Sequence, residues 1–272
     1  MKLGIIQSRG LGDIIIALPI AHYYYTEYGH EIYWPICQEF IPHFRGTVPW
    51  VNWLPCVDRT GPFFYEEPAR LLQEAGVEDS FYLYQYLSSH PELTDPELFS
   101  ILKFDQYKYW VAEVPFIRKW RLGECITRNL VSEEELKGRL QLDGDYCVVH
   151  RSGSDVRWDG DISWIGDRRI IDIDQYSSTS IFDWIGVLEG ASAFIGLDSV
   201  FANLVDSLDL PIRERYWIRR SGWDLTPVLG GRWTMIDNPV GLEDRIRVNP
   251  GQEAAGRSGQ AVPTSFMGAL KK

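Results

Sequence analysis

Two short stretches of this chain carry side chains that could do chemistry together. The first is Gly10-Leu11-Gly12-Asp13, a glycine turn that delivers one carboxylate. The second is Asp198-Ser199, followed by Val200 and Asn203 at the head of an apolar run. A carboxylate at the mouth of a cleft can take the proton of an attacking hydroxyl. A helix start offers unpaired N–H groups and a positive dipole end, which suits a phosphate, and Ser199 adds a hydroxyl. Facing one another, the two would suit transfer of a group from a diphosphate donor to an acceptor hydroxyl: Asp13 takes the proton, and the helix end stabilises the departing diphosphate. Arg151 and Arg157, in or just after the polar turn that opens at Arg151, are candidates for an assisting cation. Each motif also has a plainer reading. Asp13 could be a helix cap on an ordinary strand-to-helix turn. The two arginines could pair on the surface with Asp155, Asp159 or Asp161.

These residues need elements to hold them. Leu3 to Ile6 reads as a strand, Gly10 and Gly12 as a tight loop open to close backbone approach, and the run from Ile14 as a helix. Pro19 predicts a kink or a later helix start. The turn is neither the dinucleotide fingerprint nor a Walker loop. Strands follow at 31–36 and 51–56, with a short helix at 38–44 and another at 67–76. Phe81 to Tyr86 fits a strand or an aromatic helix face. The aromatics of this middle segment read as core, or as a stacking surface for a sugar or base. Ser132 and Glu135 predict a capping box for a helix to 140, and Leu142 to Asp145 a linker. The pattern then restarts. Strands are predicted at 146–150, 170–174 and 193–197, a helix opened by a Ser180–Asp183 capping box runs to Gly190, and a helix spans 200–208. Pro211 begins a new run, and 233–236 is a further strand candidate. Strands alternating with helices imply parallel pairing. The expected organisation is an N-terminal Rossmann-like domain at 1–141, a trimmed C-terminal one at 142–248 and a flexible tail at 249–272.

The bulk properties narrow the class. A chain of 272 residues, 45% hydrophobic and 24% charged, can bury a core without staples. No apolar run approaches the ~18 residues of a membrane span, and the N-terminus lacks signal-peptide features, so a cytoplasmic protein is expected. Cys37, Cys56, Cys125 and Cys147 form no Cys-x-x-Cys pair, and His22, His30, His43, His90 and His150 show no ligand spacing, so neither metal nor redox dithiol is indicated. The formal charge of -11 disfavours nonspecific nucleic-acid binding. Two basic clusters, Arg118-Lys119-Trp120-Arg121 and Arg213 through Arg220, read as solvated faces.

The segment Ser8 to Ile14 continuing to Pro19, the strand at 31–36, the Val48 to Val51 approach, and the stretch 179–211 centred on Ile195-Gly196-Leu197-Asp198-Ser199 resemble the lipopolysaccharide heptosyltransferase family. The likeness covers about 1–60 and 145–213. It implies a GT-B fold, two facing Rossmann-like domains with the active site between them. It also implies an inverting, metal-independent transfer from a nucleoside-diphosphate sugar, with no other cofactor. In that resemblance Asp13 is the catalytic base, Asp198 and Ser199 bind the donor diphosphate with Gly10, Gly12, Arg151 and Asn203 nearby, and Arg157 is the basic donor contact. The chain departs from the family at Val200, where glycine is usual, and at Asn203, where histidine is usual. The stretch 154–176 also leaves little room for the usual helix.

The sequence therefore supports a glycosyltransferase whose acceptor is a surface glycan or, alternatively, a modified nucleobase in DNA stacked on the aromatic segment. A non-catalytic nucleotide-binding module on the same scaffold is the rival reading.

Overall fold

Short apolar runs pair into two parallel sheets in the computed structural model of the chain, which describes residues 1–57, 65–85, 93–153, 156–178, 180–220 and 226–237. Tyr86, Ser154, Asp155, Thr179 and the tail at 249–272 lie outside the described residues. The first sheet holds β1 (Lys2–Ile6), β2 (Glu31–Cys37), β3 (Val51–Cys56) and β4 (Asp79–Tyr82) in the order β3-β2-β1-β4. The second holds β5 (Tyr146–His150), β6 (Arg169–Asp172), β7 (Ala193–Leu197), β8 (Glu214–Ile218) and β9 (Thr234–Ile236) in the order β6-β5-β7-β8-β9. Strand order reverses beside β1 in one sheet and beside β5 in the other. Ligands of open α/β sheets bind outside the carboxyl ends of the strands at such switch points. Of the run from Phe81, Phe81 and Tyr82 are strand, paired with Ile5 and Ile6, and Leu83 to Gln85 lie beyond the strand's end.

Helix α1 (Leu11–Tyr28) starts directly after the glycine turn and continues through Pro19. The expected late start is not found. Proline removes the hydrogen bond to the carbonyl four residues earlier, that of Ile15; at the next position the Tyr109 hydroxyl donates to the Ile16 carbonyl at 2.9 Å. Pro19 is itself buried among α1's apolar residues. The remaining helices of the first half are α2 (Ile41–Phe44), α3 (Glu66–Glu74), α4 (Pro96–Ile101), α5 (Phe104–Val111), α6 (Leu122–Cys125) and α7 (Leu130–Leu140). Helix α7 begins two residues ahead of the expected Ser132 cap. Asn129 is the cap instead, its side chain accepting the Ser132 N–H at 3.2 Å.

In the second half the Ser180–Asp183 capping box forms as expected, with Asp183 accepting the Ser180 N–H at 2.8 Å. It opens a 3-10 turn that leads into α8 (Ile185–Glu189). Helix α9 (Val200–Ser207) follows β7. Between β5 and β6 the described residues hold only a 3-10 turn at Ser163–Ile165, which fits the shortness of that stretch. All four cysteines are free and buried.

The two lobes share one hydrophobic core. Ile14, Leu18, Trp34 and Phe44 of the first join Phe182, Trp184, Phe201 and Leu204 of the second. Phe44 meets Phe182 edge-on at 5.6 Å, and the Ser180 hydroxyl donates to the His43 carbonyl at 3.0 Å.

A buried charge network closes the junction. Residues Phe116–Arg121 form a 3-10 turn, in which positions three apart share a face. Phe116 and Lys119 therefore turn inward, whereas Arg118 and Arg121 turn out toward Glu27 and Glu124. This corrects the solvated-face reading of that cluster: the Lys119 ammonium is fully buried. It lies 2.9 Å from Asp105 of α5 and 3.4 Å from Asp206 of α9, and it donates to the Val228 carbonyl. Asp206 also accepts from Trp120, Trp233 and the Gly230 N–H at 3.2, 3.0 and 2.9 Å, and Asp105 accepts the Val228 N–H at 2.9 Å.

Removing one member of such a network strands the others without compensation. Lys119→Met is expected to lower stability by on the order of 3–5 kcal/mol, read as a drop in urea midpoint. Arg118→Ala, which breaks an exposed pair, should cost less than about 1 kcal/mol. Equal losses would show that the junction does not depend on Lys119.

Candidate functional site

A cavity of about 970 Å³ opens at the carboxyl ends of β1 and β4 on one side and β5 and β7 on the other. Both switch points thus face the same space, and the volume is at the upper end for a small-molecule site.

The first-lobe wall is the turn after β1. Gly10 has φ 76° and caps α1 through its backbone. A β-carbon on Gly10 would come within 2.5 Å of Asp13 Oδ2, so the turn needs glycine both for its backbone angle and for the carboxylate above it. Asp13 makes no cap bond. Its Oδ1 lies 3.0 Å from the Nζ of Lys108 on α5. The Asp13 side chain is 37% exposed and that of Lys108 only 3%. Tyr84, just past β4, accepts the Ser8 and Arg9 N–H groups on its hydroxyl at 2.9 and 3.1 Å, fixing the strand end. Phe40, Tyr84 and Phe104 line the cavity, whereas Tyr107 and Tyr109 are core. The aromatic segment is thus divided, with some of its rings in the core and others in the cavity wall.

The second-lobe wall is the turn after β7. Asp198 is buried, and the loss of hydration pushes its carboxyl up to about 7; Asp13 adds to the shift and Arg220 opposes it. Ser199 precedes α9, and its Oγ is 2.8 Å from His150 Nδ1. Burial pushes His150 down to about 4 against the pull of Asp174 and Asp172, so the ring is neutral at pH 7. Its Nε2 lies 3.5 Å from Asp174. Asn203 donates through its backbone N–H and its side-chain amide to the Ser199 carbonyl at 3.1 and 2.8 Å. Its Oδ1 is buried without a hydrogen-bond partner among the described residues. The lobes touch here: a β-carbon on Gly12 would sit 3.0 Å from the Asn203 amide and 3.5 Å from Ser199. The starts of α1 and α9 therefore abut.

Of the residues singled out in the sequence, Gly10, Gly12, Asp13, Asp198, Ser199 and Asn203 line this one cavity. Arg151 and Arg157 are not among its lining residues. The Arg151 guanidinium lies over Trp158, donates to the Gly160 carbonyl at 3.0 Å and faces Asp172 at 3.4 Å. Arg157 pairs with Asp159 and Asp174 at 2.9 and 3.2 Å and is half-exposed. The arginine that the second lobe places in the wall is instead Arg220, two positions past β8 and packed over Gly153, while the first lobe contributes Arg9 and Lys108. Arg220 belongs to the second basic cluster, so the solvated-face reading fails there too. Lys108, Tyr84, His150 and Arg220 carried no motif of their own. Among the described residues no group of three or more His, Cys, Asp or Glu is arranged to hold a metal ion. No described helix is long and apolar enough to cross a membrane.

No protein-family model and no curated protein sequence matches the chain. Solved structures match it in fold. The glycosyl transferase family 9 protein of Veillonella parvula aligns with a TM-score of 0.52 at 12% identity, over 91% of this chain and 90% of that one. The ADP-heptose lipopolysaccharide heptosyltransferase II of E. coli aligns at 0.49 and 11%, over 87% and 90%. The glycosyltransferase TibC of enterotoxigenic E. coli aligns at 0.48 and 14%, over 80% of this chain but 57% of TibC, so this chain spans little more than half of that protein's length. The architecture is the α/β, GT-B-like one of two facing Rossmann-like lobes, and its fold is similar to that of the family 9 glycosyl transferase structure.

The buried Asp198 makes a pH prediction. Its raised folded value means the folded state holds its proton up to about pH 7, whereas the unfolded chain releases it near 3.8. The stability tied to that proton is full below pH 3.8 and is lost as pH rises toward and through 7. Asp198→Asn, which cannot ionise, should melt higher than the parent at pH 8, by up to about 4 kcal/mol of stability. At pH 5 the difference should be much smaller. A difference independent of pH would refute the assignment.

Proposed function

We propose that the protein is a glycosyltransferase that moves a sugar from a nucleoside-diphosphate sugar to an acceptor hydroxyl, with inversion and with Asp13 as general base. One observation carries the reading: the Asp13 carboxylate and the start of α9 share one cavity at the paired switch points of the fold. The similarity to a structure named as a family 9 glycosyl transferase supports the same class.

The chemistry follows from the placement. The acceptor hydroxyl gives its proton to Asp13 as its oxygen bonds to the anomeric carbon. The bond from that carbon to the diphosphate oxygen breaks on the opposite face, and the electron pair leaves with the diphosphate. The N–H groups that open α9 and the Arg220 guanidinium face that developing charge, so protein groups supply what a metal ion would otherwise supply. Neutral His150 and an Asp198 whose carboxyl is pushed up to about 7, so that it is only partly ionised at neutral pH, limit the negative charge that a diphosphate meets. The rings of Phe40, Tyr84 and Phe104 offer faces to an acceptor sugar on the first-lobe side. No bound cofactor is needed, since the nucleotide sugar is a co-substrate.

A panel of nucleoside-diphosphate sugars tests the reading, with product followed by release of nucleoside diphosphate. Wild type is expected to turn over at least one donor. Asp13→Asn should lose about 10²- to 10⁴-fold in rate while still binding the nucleoside diphosphate by calorimetry. Equal turnover by both proteins would remove Asp13 as base. Nucleotide binding with no turnover by either would favour a non-catalytic module.

A further inference from the structure

We infer that Lys108 is a positioning residue for the transfer step: its ammonium pins Asp13 by Oδ1 and leaves Oδ2 as the atom that receives the acceptor's proton. The inference rests on the transferase reading above and goes beyond it, because Lys108 belongs to neither sequence motif.

The Lys108 ammonium donates to Gln7 Oε1 at 2.6 Å and to the Leu83 carbonyl at 3.1 Å, and it forms an ion pair with Asp13 Oδ1 at 3.0 Å. All three partners are groups of the protein itself, and the side chain is 3% exposed. Lys108 is therefore read as a partner of Asp13 and not as a phosphate ligand.

The support around it is equally specific. The Gln7 amide donates to the Arg9 carbonyl at 2.9 Å, which turns its oxygen toward Lys108. Trp34 donates to the Gln7 carbonyl at 3.0 Å. The ammonium also lies 5.6 and 6.0 Å from the ring centres of Phe104 and Tyr84. A cation held this rigidly fixes the carboxylate it touches.

The free oxygen is the one over glycine. Oδ2 lies above Gly10, where any side chain would strike it, and Gly10 lines the cavity. A carboxylate tied through one oxygen cannot swing, so proton transfer is directed to the other. Charge adds to geometry. Asp198 across the cavity and an incoming diphosphate both repel the Asp13 carboxylate, and the buried ammonium offsets that repulsion.

The test is Lys108→Met, similar in length but uncharged, in the full chain with the donor that wild type uses. We expect kcat to fall about 10- to 100-fold, the range seen when outer-shell partners of a reactive group are removed. Donor and acceptor KM should stay within about twofold of wild type. The Kd of the nucleoside diphosphate alone should not change. In Lys108→Ala, millimolar methylammonium should restore part of kcat in a saturable way, which a purely structural loss would not allow. If Lys108→Met does not fold, Lys108→Gln keeps two N–H donors for the buried acceptors and is read in the same way. Wild-type kcat in a folded variant overturns the inference. So does a tenfold weaker nucleoside diphosphate with kcat intact, which would make Lys108 a phosphate ligand. An active wild type matched by the variant defeats this inference alone; a wild type without turnover on any donor defeats the transferase reading as well.

Discussion

The buried ammonium of Lys119 is the constraint on which the rest of the molecule depends. It pairs with Asp105 from the first lobe and Asp206 from the second, and Asp206 also receives the segment that returns past Val228. Charges so deeply buried are tolerable only when each has its partners. These partners come from both lobes, so the network is complete only when the lobes are docked. Docking brings the starts of α1 and α9 together at Gly12 and Asn203. Without it, Asp13 and the start of α9 would belong to separate bodies and would not line one cavity.

The division of labour across the cavity follows from burial. On the first-lobe side a carboxylate is kept partly exposed and held by a buried cation. On the second-lobe side burial works against charge: His150 is pushed down to about 4 and Asp198 up to about 7, so neither meets an anionic ligand with full charge at neutral pH. One wall is thereby suited to taking a proton and the other to holding a diphosphate. Fixing both on rigid helix starts supplies the orientation that a bimolecular transfer otherwise lacks.

Much of this was legible in the sequence where the signal was local. Gly10, Gly12 and Asp13 sit on one turn, and Asp198 and Ser199 on another, each directly after a strand. Period and turn chemistry were enough to place them. The Ser180–Asp183 box was also read correctly, because both members lie within one turn. The Ser132 box was not, because Asn129 captures the same N–H three residues earlier. Residue type alone could not choose among the arginines. Arg151 and Arg157 follow β5, as a donor contact should, but Asp172 and Asp174 at the end of β6 draw both away. Arg220 reaches the cavity because β8 lies beside β7, a neighbour relation that only the sheet order reveals. Lys108 carried no motif, and Lys119 read as part of a solvated basic face. Each lysine is explained by a partner far away in the chain, Asp13 for Lys108 and Asp206 for Lys119.

The central claim is that one cavity holds a proton-accepting carboxylate and a diphosphate cradle within reach of a single substrate. A crystal structure with a bound nucleoside-diphosphate sugar tests this most directly. The account predicts the diphosphate against the opening N–H groups of α9 and the Arg220 guanidinium. It predicts the anomeric carbon turned toward Asp13 Oδ2, with room between them for an acceptor oxygen. A donor seated elsewhere, or one whose sugar points away from Asp13, would contradict it.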